Sequence, residues 1–287
     1  MGRTSIILIC SWLLASATAA APPLPRKVLI TYFEPFDGAA VNASEAIAKK
    51  VAMAKGLGAD VELCRLPVVY DQGSSEAKKC FEKSEPKPDY VISLGEAGCS
   101  VRFETAAHNR DSNPDLPDNS GAVRNGKVIE ANGPTSISMT FPIDEILCGS
   151  ELSEAESKQV TLSATPGGFV CNNTAYSLAR YFEKSAPSTR YGFVHIPSHE
   201  CSTPDSVSPD VSAEILKKYI KNAIAIDAAK SKTAPASSCS KAEEFPQSLQ
   251  EFATKINSLK DIGTKACRTT YLNEALSKRI YFLNEER

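Results

Sequence analysis

Cys171 lies in GGFVCNNTAYSLARYF, Gly167 to Phe182, where two glycines feed a stretch with the apolar spacing of a helix. The glycines allow backbone angles barred to other residues, and a residue after such a strand-to-helix turn points into the cleft at the carboxyl edge of a sheet. Unpaired amides and the helix dipole favour an anion there, so a thiol gains nucleophilic character and stands beside oxyanion donors. A cysteine nucleophile needs a base that returns the proton to a leaving amine, and imidazole does both at neutral pH. There are three histidines. His195 ends the apolar run YGFVHIP, about two dozen residues after the thiol, and one more strand and helix would bring the chain back to the same sheet edge. His199 reads as a surface residue and His108 as a loop residue or one standing behind the site. An acceptor must fix the imidazole tautomer, and Glu104 in VRFETAAHN is a carboxylate set between apolar neighbours. Each also has an ordinary reading: Cys171 as half of a disulfide, His195 as a core residue, Glu104 as an exposed strand position. Residue types alone leave these open.

The elements that would hold these groups alternate. Lys27 to Tyr32 (KVLITY) reads as a strand followed by the turn FEPFDG, and Asn42-Ala43-Ser44-Glu45 opens a helix carried by Ile47, Val51 and Met53. Further strands are expected over Val61–Leu66, Tyr90–Leu94, Gln159–Ala164 and Tyr191–Ile196, with helices over Ser74–Glu82, Asn172–Glu183 and Pro209–Ala228. Asn109 to Gly126, rich in Asn, Asp, Pro and Gly, reads as a long loop. Strands alternating with helices predict an α/β domain over residues 26–229, with helices on both faces of a largely parallel sheet.

The ends read differently. Residues 1–19 have one Arg, an apolar run from Ile6 to Leu14 and a small-residue ending, the pattern of a secretory signal peptide. This predicts a secreted or periplasmic protein with no membrane anchor after cleavage. Losing Arg3 takes the formal charge from -2 to -3, and with no basic run anywhere nucleic acid is not an expected partner. Residues 230–287 read as a linker and a small helical hairpin, with Leu249, Phe252, Ile256 and Leu259 on one helix and Leu272, Leu276, Ile280 and Leu283 on the other. Of nine cysteines Cys10 leaves with the leader, and the other eight would fill four disulfides in an oxidising compartment. The pairs expected are Cys239 with Cys267, stapling the hairpin, and Cys64 with Cys80. A free Cys171 leaves an odd number, and Cys99 or Cys201, which flank the site's motifs, is the expected second free thiol. No CxxC or CxxH pair occurs, which argues against a metal site.

Several blocks in order resemble the pyroglutamyl peptidase I family, cysteine exopeptidases that remove N-terminal pyroglutamate. They are KVLITYFEPFDGAAVNASEAIAKKV, LPVVY, PDYVISLGEAG, FETAAHN with LPDNSG, NGPTSISMTFPID, GGFVCNNTAYSLARY and YGFVHIP, spanning roughly Lys27 to Ile224. The resemblance implies a three-layer α/β/α sandwich of the phosphorylase/hydrolase-like kind with a mixed sheet, and no metal or organic cofactor. It implies Cys171 as nucleophile, His195 as acid and base, and Glu104 as the catalytic glutamate. Phe33, Phe36 and Phe169, with Val170 next in the turn, match the family's slot for the pyroglutamyl lactam, so peptides with N-terminal pyroglutamate are the expected substrates. Glu96 and Asp115 depart from the glutamine and arginine of many bacterial members, and two added acids would oppose thiolate formation. Two rival readings remain: a non-catalytic binder of blocked N-termini with Cys171 in a disulfide, and an amidase or acyl transferase on the same scaffold. A homo-oligomer is compatible with the sequence.

Overall fold

The structure, a computed structural model, describes residues 25–143, 152–201 and 207–233. The leader expected over 1–19 and the hairpin with Cys239 and Cys267 lie outside the described residues.

A six-stranded sheet runs in the order β2-β1-β3-β10-β4-β9. The strands are β1 (Arg26–Phe33), β2 (Ala59–Leu66), β3 (Tyr90–Glu96), β4 (Val101–Glu104), β9 (Val160–Ser163) and β10 (Arg190–Ile196). β2, β1, β3 and β10 are parallel, whereas β4 pairs antiparallel with β10 and β9 follows β4 in parallel. The sheet is therefore mixed and largely parallel. RKVLITYF, YVISLGE and RYGFVHI are near-continuous apolar runs because their strands are covered on both faces, as parallel strands usually are.

Alternation along each strand divides the core. Val28 and Ile30 of β1, Phe103 of β4 and Val194 of β10 face α1 (Ala43–Ala52) and α5 (Pro209–Thr233). Leu29 and Phe33 of β1 and Tyr191 and Phe193 of β10 face α2 (Gln72–Lys83) and α4 (Val170–Ser185). A short helix, α3 (Glu154–Lys158), opens on a capping box between Ser153 and Glu156. The layers are thus helix, sheet, helix.

Three expectations need correction. The 109–126 segment is not all loop, because β6 (Arg110–Asn113) pairs with β7 (Arg124–Val128) as a small antiparallel ladder. A second ladder joins β5 (Ala106–His108) to β8 (Ser136–Ser138). Met53 is no core position, since it follows the last turn of α1 and is 74% exposed. The last helix continues past Ala228 to Thr233, taking in the first residues read as linker.

Phe103 sits between Arg102 and Glu104 on β4, fully buried, with its ring centroid 4.2 Å from that of Tyr219 on α5. Phe103→Ala should lower the unfolding free energy by about 3–5 kcal/mol. A urea midpoint unchanged from the parent would show that this stack does not anchor β4.

Candidate active site

Parity on the two strands at the sheet's reversal decides which side chains meet. His195 has the parity of Tyr191 and Phe193 and so faces α4; on β4, Arg102 and Glu104 face the same way because Phe103 points to α5. The antiparallel register sets Arg102 opposite His195 and Glu104 opposite Phe193, one diagonal step away. Glu104 Oε1 lies 2.7 Å from His195 Nδ1 and accepts from Arg102 Nε at 2.8 Å. Arg102 Nη2 stands 3.1 Å from the same Nδ1. Glu104 has no exposed surface, His195 is 1% exposed, and the second carboxylate oxygen, Oε2, has no partner. With Nδ1–H donated to the carboxylate, Nε2 is the nitrogen left for proton transfer. Gly95 makes room for the ring, since a Cβ there would stand 3.0 Å from His195 Cδ2.

Cys171, partly exposed and with a free sulfur, is the second residue of α4. Gly167 turns the chain at φ +85°, a conformation that favours glycine. Gly168 presses against β6: Ser112 N–H donates to Gly168 O at 2.9 Å, and a Cβ on Gly168 would lie 2.2 Å from Ser112 O. The N-cap, Phe169, has no side-chain hydrogen bond to the helix, so no side chain at the cap covers the first-turn amides beside Cys171. Burial pushes the Cys171 thiol up to about 12; the Glu104 charge adds to the rise, Arg102 opposes it, and Glu96 adds again. At neutral pH the resting group is a thiol and must lose its proton to react.

The two residues after the thiol brace it. Asn172 Nδ2 donates to the carbonyls of His108 (2.9 Å) and Arg110 (3.0 Å), while Oδ1 accepts from His108 N–H at 2.9 Å. Asn173 Nδ2 donates to Asp71 (3.0 Å) and Asp111 (2.8 Å), and Arg124 is salt-bridged to both acids. Arg124 also stacks over Tyr70, 4.3 Å from its ring centroid. Sequence reasoning missed Arg102, Tyr70, Asn172, Asn173 and the Asp71–Arg124–Asp111 cluster. The signal for Arg102 was the alternation in VRFE, which puts it on the face of Glu104; for the asparagines it was an unbroken polar pair opening a buried helix.

Phe169 forms an aromatic wall beside the thiol, with Phe36 at 6.0 Å between ring centroids and the edge of Tyr70 at 5.6 Å. Phe36 and Phe169 are partly exposed. Phe33 and Val170, at 2% and 1% exposure, are packed inside the α2/α4 core, so they back this wall and present no open face. Glu96 is held by the amides of Ala43 and His199, the Ser198 hydroxyl and His199 Nδ1 at 2.6 Å. Burial raises this carboxyl, but those hydrogen bonds outweigh it and keep the group below its usual range. His199 is exposed as expected, yet carries this ion pair. Asp115 is exposed between β6 and β7. His108, on β5, is half-buried, and burial lowers its affinity for a proton.

The cysteines resolve in part. The sulfurs of Cys64 and Cys80 lie 2.03 Å apart, at bonding distance, and those of Cys99 and Cys201 lie 1.97 Å apart. Cys99 and Cys201 therefore face each other, and neither is the second free thiol. The reason is topological: the segments following the neighbouring parallel strands β3 and β10 run together, with Ser198 N–H donating to Gly98 O at 2.8 Å. Among the described residues Cys171 is outside both pairs and its sulfur is free, which weighs against the disulfide of the binder reading.

A free thiol at the start of a helix with no side-chain cap, in the field of a buried carboxylate that is hydrogen-bonded to a histidine, is the set of groups a cysteine hydrolase uses. The pyroglutamyl peptidase family profile matches residues 26–231, and the chain belongs to that family, as a cysteine peptidase of the pyroglutamyl peptidase I type. It is 32% identical over 205 residues to a pyrrolidone-carboxylate peptidase of Bacillus licheniformis, covering 71% of this chain and 93% of that one. With one from Erwinia tasmaniensis it shares 37% over 175 residues, 60% of this chain and 78% of the relative. The crystal structure of pyroglutamyl peptidase I from Bacillus amyloliquefaciens superposes with a TM-score of 0.62 at 30% identity, covering 70% and 97% of the two chains. A mutant pyrrolidone carboxyl peptidase from Pyrococcus furiosus gives 0.60 at 27%, covering 70% and 99%.

Gly168→Ala should force the turn off Ser112 and displace the start of α4. Turnover should fall at least about tenfold, as small displacements of a reacting group do, while the far-ultraviolet spectrum stays that of the parent. Full activity would mean that the close approach is dispensable.

Proposed function

We propose that the protein is an exported cysteine exopeptidase that hydrolyses the bond after an N-terminal pyroglutamyl residue through a thioester. The observation that carries this is the free Cys171 at the start of α4, next to Phe169, with its thiol in the field of the Glu104–His195 pair. Cys171 Sγ attacks the pyroglutamyl carbonyl as its proton passes to His195 Nε2. Amides of the first turn of α4 take the oxyanion. The C–N bond breaks as the imidazolium gives its proton to the leaving amine, and a water activated by His195 then hydrolyses the thioester and restores the thiol. Glu104 accepts the hydrogen bond from His195 Nδ1–H, which fixes the ring and stabilises the imidazolium between the two steps.

Selectivity follows from the aromatic wall. The lactam is a flat, neutral amide ring that Phe169 and Phe36 can cover. A free amino terminus would bring an ammonium into an apolar slot, at a cost of several kcal/mol. A pyroglutamyl amide should accordingly be cleaved at least about a hundredfold faster than the glutaminyl or prolyl amide of the same amine. Cys171→Ala should lose at least about a thousandfold in rate. A panel of N-blocked and free aminoacyl amides decides: release by the Cys171→Ala protein, or preference for another acyl group, sinks the assignment.

Export is supported by the leader-like N-terminus together with the two cysteine pairs at bonding distance. Closing loops of 16 and 102 residues would stabilise the fold by about 3 and 4–5 kcal/mol on the chain-entropy model. Protein made through an oxidising compartment and digested without reductant should yield Cys64–Cys80 and Cys99–Cys201 linked peptides, with Cys171 alkylated. Recovery of all five as free thiols would argue against this setting.

A further inference from the structure

We propose that Arg102 is a positioning residue of the catalytic centre, holding the Glu104 carboxylate as acceptor for His195 Nδ1–H and so setting the pH range in which Cys171 reacts. The proposal rests on the roles given above to Cys171, His195 and Glu104.

Three observations lead to it. Glu104 is fully buried; its Oε1 receives both contacts, from His195 Nδ1 at 2.7 Å and Arg102 Nε at 2.8 Å, and its Oε2 has none. A neutral imidazole is only a hydrogen-bond donor, so during the part of the cycle in which His195 is uncharged, the guanidinium is the countercharge in contact with this carboxylate. Second, the antiparallel register places Arg102 directly opposite His195, with Nη2 3.1 Å from Nδ1. Nδ1 has a single in-plane position, which either donates to Glu104 or accepts from Arg102. As long as Glu104 remains an acceptor the first arrangement holds, and Nε2 carries the lone pair that takes the thiol proton. If the carboxylate were neutralised, the ring would be free to accept from Arg102 instead, and Nε2 would hold the proton and lose its function as base. Third, the positive charge of Arg102 acts on Cys171 against the charges of Glu104 and Glu96.

The other titratable groups around the site come from every neighbouring element. Glu96 on β3 acts on Cys171, Tyr70 before α2 and Tyr191 on β10 sense the thiol, and His108 on β5 senses Glu104. Among these groups of the described residues, Arg102 is the cation that makes contact with both members of the Glu104–His195 pair. Its side chain is 30% exposed, so replacing it opens no core cavity.

The sign follows directly. Loss of a positive charge makes every nearby proton harder to remove, so the thiolate of Cys171 forms at higher pH. Arg102→Met and Arg102→Gln should move the rising limb of Cys171 alkylation by iodoacetamide upward by about one pH unit, and reactivity on that limb should fall about tenfold. Arg102→Lys should recover part of the shift. The limb of kcat/KM for pyroglutamyl amide hydrolysis should move with it, with kcat falling and KM little changed. Alkylation needs no substrate, so it answers even if the substrate assignment fails. Limbs in their wild-type positions in both neutral variants, folded by their melting curves, would overturn the proposal. So would a loss confined to KM, which would make Arg102 a substrate contact. Should both neutral variants melt below the assay temperature, Arg102→Lys decides: a limb displaced upward by part of that unit at normal stability would support the role, and a limb in the wild-type position would overturn it.

Discussion

A carboxylate with no exposed surface, buried where the sheet reverses direction, is the constraint on which the rest of the site depends. Leaving a charge in such a place without partners costs several kcal/mol. Glu104 is therefore tolerable only because β4 runs antiparallel to β10 and brings a guanidinium and an imidazole to one of its oxygens. Had β4 continued the parallel order, neither the diagonal between Glu104 and His195 nor the direct pairing of Arg102 with His195 would exist. The reversal fixes the histidine–carboxylate pair, and in the proposed mechanism the covering helix only has to deliver the thiol.

That delivery is a problem of backbone placement. The start of α4 is located by hydrogen bonds to elements distant in sequence: Asn172 holds the main chain on both sides of Asn109, and Asn173 joins a cluster of two aspartates and an arginine. The small ladders outside the main sheet, β5–β8 and β6–β7, supply those partners. Segments that look peripheral thus set the height of the thiol above the sheet, and the aromatic wall is built on the same support, through Arg124 under Tyr70 and Tyr70 against Phe169.

What was legible in the sequence follows the same division. The buried parallel strands announced themselves as unbroken apolar runs, whereas the thiol, the strand-end histidine and the carboxylate between apolar residues each kept an ordinary reading until the family resemblance joined them. Arg102 was hidden because a charge in a four-residue strand looks like an exposed residue until the register shows what lies opposite. RDSN and RNGKV carry no apolar alternation, since their ladder lies outside the sandwich, and so they read as loop. Phe33 looked like a pocket wall, but its parity on β1 sends it with Leu29 into the α2/α4 core. Cys99 and Cys201 are 102 residues apart, and only the adjacency of β3 and β10 makes them neighbours.

The same adjacency bears on how a free thiol coexists with cysteine pairs. Cys99 and Cys201 lie beyond the carboxyl ends of β3 and β10, where Glu96, Ser198 and His199 also meet, and they clamp the two segments that leave the site. Each of these two cysteines has its partner at bonding distance, so neither sulfur is left to compete for Cys171. Burial and the charges of Glu104 and Glu96 push the Cys171 thiol up, and a protonated thiol is slow to oxidise because the thiolate is the reactive form. For the nucleophile of the proposed mechanism, the raised thiol that looks like a handicap is then a protection between turnovers. On the proposed mechanism its proton leaves as a bound substrate presents a carbonyl to the sulfur and His195 takes it up.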